Sequence, residues 1–203
     1  MRPAGDSGGC GRPANGRLAG AAVGTGTDMR RQLLRGAAAG AAGTTALNAA
    51  TYLDMLVRAR PTSTTPEESV RRLVEQGHPT ALSAKGPDSD EAANRRTALG
   101  ALMGIATGVG AGAVLGAVRP LLGPRRPVRA MVVAALAANL GGVLPMWALG
   151  ISDPREWSAE SWLSDLLPHL AYGVVTAVVY DQLDHDGRGR RSAARSRLRR
   201  ISS

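Results

Sequence analysis

The chain has 203 residues and a formal charge of +9, with 44% hydrophobic residues but only three Trp, three Tyr and no Phe. This length suits one domain and is too short for two sizeable cores; without aromatic anchors, Ala, Gly, Leu and Val must do the packing. A single cysteine, Cys10, excludes an internal disulfide framework and any multi-cysteine metal centre. Lys85 is the only lysine among 25 basic residues, and this arginine bias together with the missing Phe points to a GC-rich bacterial source.

Residues 1–28 are rich in Gly, Arg, Pro and Ala, lack apolar periodicity and are expected to be disordered. Met29 opens a basic run, Met-Arg-Arg-Gln-Leu-Leu-Arg, directly before an apolar segment, which makes Met29 a candidate start of the membrane domain at 29–186. The same run resembles a twin-arginine export signal, but residues 44–54 contain no Ala-x-Ala cleavage site and further apolar segments follow.

A bilayer span needs about 20 apolar residues. Four segments meet this test, at 36–57, 97–118, 130–151 and 163–180. The second lies between Arg96 and Arg119 with no charge in 22 residues, and the third belongs to an uncharged run of 23 from Ala130 to Ser152. A soluble bundle would place charges along the outer face of every helix. The expected fold is therefore all-α: a four-transmembrane-helix bundle with disordered termini. The mean hydropathy of −0.08 reflects the polar segments outside the spans.

The connection at 58–96 is predicted to hold one short helix at 66–76. Thr65 serves as N-cap, Pro66 occupies the first turn and Glu68 completes a capping box, with Gly77, His78 and Pro79 as the stop. Asp88 to Glu91 makes a second capping-box start that can run without a break into span two.

With a cytoplasmic amino terminus, the inner segments carry 17 basic residues and the outer segments 8, which follows the positive-inside rule. Arg58, Arg60, Arg95 and Arg96 run against it. Trp147, Trp157 and Trp162 gather at the short outer loop, the headgroup level that amphipathic rings prefer. These features predict a multi-pass protein of the bacterial cytoplasmic membrane with both termini cytoplasmic.

Gly100, Gly104, Gly108, Gly112 and Gly116 recur every four residues in span two and predict a helix-packing groove. Gly36 and Gly40 offer a shorter version in span one. Packing within one bundle and a homo-oligomer interface both fit this stripe. In span four, Asp165, His169, Tyr172, Thr176 and Tyr180 share one helical face. Span one offers Asn48 and Asp54, and span three Asn139. Since polar groups in hydrocarbon need partners, Asn48, Asp54, Asn139, Asp165, His169 and Tyr172 are expected to form one cluster in the outer half of the membrane, with Asn48 or Asp54 within reach of the Asp165–His169 pair. Such a cluster would be either proton-responsive or solute-contacting, or an interhelical network of structural value.

Pro145, then Gly150-Ile151-Ser152-Asp153-Pro154, then Trp162 and the spacing of Asp165, His169, Leu170 and Tyr172 resemble the last third of the YagU-like small inner-membrane proteins. The likeness covers roughly residues 145–180, with Asp and Tyr where that family has Glu and Trp. It implies an association with acid resistance and carries no enzymatic mechanism.

Seven arginines between Arg188 and Arg200 suit anionic lipid at the membrane exit of a disordered tail, 187–203; without interleaved aromatics they do not suggest nucleic-acid binding. Asp181, Asp184, His185 and Asp186 could in principle hold a cation, but a solvated helix exit explains them more simply. No phosphate-binding loop and no nucleophile with a base at recognisable spacing is present. No catalytic, metal or cofactor site is expected, and the chain is not expected to be an enzyme.

Overall fold

The computed structural model describes residues 15–77, 86, 89–123 and 127–201, with side chains described over 26–77, 86, 89–123, 127–187 and 189. Expectations that fall on 1–14, 78–85, 87–88, 124–126 and the side chains of the arginine-rich tail lie outside these residues. The elements are all helical: α1 (Asn15–Arg58), α2 (Thr65–Gly77), α3 (Asp90–Val118), α4 (Pro127–Ala148) and α5 (Ala159–Ile201), with short 3-10 turns at Arg119–Leu122 and Pro154–Glu156. Three of them, α3 with its following turn, α4 and α5 through Gly187, are long and apolar enough to cross a membrane. No more than 33% of the most apolar stretch of each is buried. Leu102, Ile105, Val132, Leu136, Leu140, Leu170 and Val174 all project outward. That much exposed apolar surface suits lipid rather than water.

The helix α1 covers the first predicted span but is not among the three. Its Gly, Thr, Asn and Asp content dilutes its hydropathy, although it packs along both α3 and α5. Residues 15–28 and 187–201, which the sequence places in disordered termini, continue α1 and α5 as helix. Once a segment is nucleated by packing, each added residue fixes little further conformation and gains a hydrogen bond; Ala and Arg favour that extension.

The core is a column of small residues. Ala39, Ala111, Ala130, Ala134, Ala138 and Ala177 are buried with Leu115, Tyr172 and Tyr180. Against α3, the α1 backbone lies in direct contact: a methyl on Gly112 would run into the Gly36 carbonyl and stand 2.5 Å from Gly40 Cα, and one on Gly116 would meet the Gln32 carbonyl. The stripe is thus a packing surface within the bundle, with Gly36 and Gly40 as its counterpart. It is not uniform. Gly100 packs on Pro66 of α2, whereas Gly104 is exposed and a methyl there would meet nothing. The two helices part above the Thr44–Gly108 contact, and α2 takes over as neighbour one turn beyond Gly104.

Helix boundaries follow local chemistry. Ser89, rather than Asp88, caps α3 by accepting from the Ala92 amide at 3.2 Å. The expected Thr65–Glu68 capping box does not form. Glu68 turns to Arg71 instead (Nε to Oε2, 2.7 Å), which holds its carboxyl below the usual carboxylate range. Val70 of α2 is buried on Ala92 of α3, so α2 sits against the part of α3 that extends past the span. At the same end of the bundle, α4 closes in a Schellman motif. Gly150 takes φ +66, with Ile151 N–H on the Met146 carbonyl at 2.9 Å and Gly150 N–H on the Trp147 carbonyl at 3.0 Å.

Candidate functional site

The six residues expected in one cluster separate into four settings. Asp165 on α5 accepts a hydrogen bond from the Asn139 amide on α4. His169, one turn on, donates from Nδ1 to the Asp165 carbonyl at 2.7 Å, and the same nitrogen lies 3.6 Å from Asp165 Oδ1. These three form the interhelical clasp between α4 and α5. The two titratable side chains are about one-fifth exposed, at 20% for Asp165 and 17% for His169.

Tyr172 belongs elsewhere, because the helix turns it inward. It is fully buried and donates to the Gly108 carbonyl of α3 at 2.6 Å. The Thr44 hydroxyl, which donates to the Gly40 carbonyl at 2.8 Å, lies over the same Gly108. Thr176, also fully buried, has no partner of hydrogen-bond geometry for its hydroxyl among the described residues, and its oxygen rests against bare Gly43 of α1. A threonine oxygen over a glycine allows the close Cα–H···O approach seen where helices touch.

Asp54 does not reach Asp165 or His169. It pairs with Arg58 at 3.3 Å and with Arg60 at 2.5 Å. Arg60 lies past the end of α1 and is returned to it because Ala59 adopts the left-handed φ of +50. Arg58 in turn donates to Ser164 Oγ at 2.7 Å and pairs with Glu160, both on α5. So α1 and α5 are neighbours, as the cluster required, but the contact runs through an arginine at the helix end. Asn48 is exposed and makes no hydrogen bond among the described residues. Its depth matched the cluster; its direction around the helix does not.

Sequence reasoning missed a second set of joints at the opposite end. Arg35 of α1 pairs with Asp184 of α5 at 2.6 Å, and Arg119 pairs with Asp181 of α5 at 2.7 Å. The acidic exit of α5 therefore holds arginines. Among the described residues, no group of three or more His, Cys, Asp or Glu is placed to hold a metal ion. The signal for these pairs was present in Arg35 and Arg119 at the edges of apolar segments and in Asp181 and Asp184 at the exit of α5.

A cavity of about 430 Å³ lies outside the spans between α2, α3 and Ile151, lined among others by Glu67, Glu68, Arg71 and Arg96. A smaller one of about 140 Å³ lies beneath the loop between α4 and α5, beside Trp147 and Asp153. There the Arg155 guanidinium stands 5.7 Å from the Trp147 ring, and Trp157 and Trp162 pack with centroids 5.0 Å apart. Neither cavity is lined by Asp165 or His169. Comparison with protein families, curated proteins and solved structures gave no match.

Proposed function

We propose that the protein is a structural or accessory component of the bacterial cytoplasmic membrane, a four-span bundle whose intramembrane polar residues join its helices. The observation that carries this reading is the partnering of those residues: Asn139 with Asp165, Tyr172 with Gly108, Arg58 with Ser164 and Glu160, Arg35 with Asp184. On α1, Arg35 and Arg58 lie about 34 Å apart at 1.5 Å per residue. This is close to the 30 Å hydrocarbon thickness, and the arginines bounding the apolar stretch 97–118 of α3, Arg96 and Arg119, have the same separation. Charge bands at matching heights support α1 as a fourth span beside the three apolar helices. Both termini are assigned to the cytoplasm by the arginine balance. The outer Arg58, Arg60 and Arg95 each pair with a carboxylate, which weakens their vote against that orientation. The Arg-rich tail then faces anionic headgroups, and no catalytic role is assigned to any residue.

The partial exposure of Asp165 and His169 favours a second reading, in which the pair responds to protons, in keeping with the resemblance to an acid-resistance family. Purified protein in liposomes loaded with a pH-sensitive dye distinguishes the two. The structural reading expects proton flux no greater than in protein-free vesicles, and wild-type survival of acid stress by cells carrying His169→Ala at normal protein level. Flux that disappears in His169→Ala or Asp165→Asn would overturn it in favour of proton handling.

A further inference from the structure

The exposed face of α1 is unlike the lipid-facing surfaces of the other helices. Ala38, Ala41, Thr45, Asn48 and Tyr52 are all exposed, at spacings of three, four, three and four residues that place them on one side of the helix. Thr45 satisfies its hydroxyl on the Ala41 carbonyl at 3.2 Å. Asn48 makes no such bond, and its amide has no hydrogen bond among the described residues. It lies well inside the span: about 15 Å from Arg58 and about 20 Å from Arg35 along the axis, at a depth between the Gly43–Thr176 and Arg58–Ser164 contacts.

An amide facing hydrocarbon has neither water nor a protein partner, and Asn is among the residues that hold membrane helices together by hydrogen bonding across them. We infer that a second copy of this chain covers this face, with α1 packed parallel to its counterpart and the two Asn48 amides paired near a two-fold axis normal to the membrane. Three features argue for a second copy rather than an unrelated helix. The primary amide is self-complementary, one donor and one acceptor meeting the same pair reversed. Every copy inserts with the same orientation, so the two Asn48 side chains share one depth and the interface is closed by symmetry. Ala38, Ala41 and Thr45 are small on both sides, so the backbones can approach closely enough for the amides to meet. Cover on this side also explains why α1 can be the least apolar of the membrane helices, since α3 and α5 occupy its other sides.

This inference rests on α1 crossing the bilayer, and the experiment separates the two. In full-length protein with Cys10→Ser, single cysteines introduced at Ala41 and Thr45 should form disulfide-linked dimers on mild oxidation in native membranes, while Leu102→Cys on the exposed face of α3 and Leu47→Cys on the inward side of α1 should not. Adding Asn48→Leu should lower the Thr45→Cys cross-link yield about 5- to 10-fold, the size expected from losing one interhelical hydrogen bond of about 1 to 1.4 kcal/mol, while Asn48→Gln should retain most of it. Cross-linking at Leu102→Cys equal to that at Thr45→Cys, or undiminished by Asn48→Leu, would overturn the dimer. Asn48→Cys should resist an aqueous maleimide in membranes. Rapid labelling would remove α1 from the bilayer and the dimer with it; resistance without cross-links at Ala41 or Thr45 would overturn the dimer alone.

Discussion

Tyr172 and Thr176 lie one turn apart on α5, both without solvent exposure, yet their hydroxyls are in opposite situations. Tyr172 has an acceptor on α3; the Thr176 hydroxyl has no partner of hydrogen-bond geometry among the described residues and rests against Gly43. Removing an unpartnered buried hydroxyl while keeping the branched form relieves a desolvation cost, so Thr176→Val should leave thermal stability in detergent unchanged or raise it slightly. Tyr172→Phe removes a hydrogen bond and should cost about 1 kcal/mol. Unfolding midpoints of the two variants check the contrast, and an equal loss in both would mean that Thr176 has a partner. At this scale the sequence was half legible. The polar face of α5 could be read from spacing alone, and the depth of Asn48 and Asp54 followed from chain direction. Which way those two side chains point did not follow, because it depends on how α1 is rotated against α3. The Arg60 that satisfies Asp54 comes back only through the left-handed turn at Ala59, a conformation that an alanine does not announce.

Among the elements, the pair α1 and α3 shows where a regular pattern stops describing a contact. Five evenly spaced glycines suggest one continuous groove, but Gly108, Gly112 and Gly116 meet α1, Gly100 meets Pro66, and Gly104 meets nothing. Gly112→Ala should therefore destabilise the fold by more than about 2 kcal/mol, since two backbones must separate along their length. Gly104→Ala should stay within about 0.5 kcal/mol. Yield of monodisperse protein and melting temperature for the two variants test this; equal losses would mean that the helices do not part at Gly104. Spacing identified the stripe and its counterpart at Gly36 and Gly40. Where the helices diverge was not legible, because that is set by α2 docking through Val70 on Ala92, a contact between segments that share no pattern.

For the whole molecule, the arrangement of charge is what orients it. The Arg119–Leu122 turn and the exit of α5 lie at the Arg35 end, and the Trp-lined loop lies at the Arg58 end. With Cys10 replaced, a cysteine at Ser158 should react with an impermeant maleimide in intact cells and one at Ser192 should not; the reverse pattern would invert the assigned orientation. The all-helical class and three strongly apolar helices could be read from charge spacing alone, because a stretch of about 20 residues without a charge has few uses other than a bilayer. The ionic joints at each end could not, since pairing across 62 to 149 residues depends on which helices become neighbours.

The low apolarity of α1 also bears on the order in which the protein is made. Entry of a segment into the lipid from the insertion machinery is governed by its own transfer free energy, and each Asp, Asn or Thr makes that entry less favourable. As the first long helix to emerge, α1 is less apolar than the three that follow in their most apolar stretches, and the bare backbones at Gly36 and Gly40 find their match only when Gly108, Gly112 and Gly116 have been synthesised. With α1 as the proposed fourth span, its entry is expected to depend on α3: truncation before Gly108 should leave α1 extractable from membranes by alkaline carbonate, whereas a chain that includes α3 should resist it. On that expectation the glycines that bring α1 and α3 into contact in the finished bundle also couple the placement of α1 to the synthesis of α3.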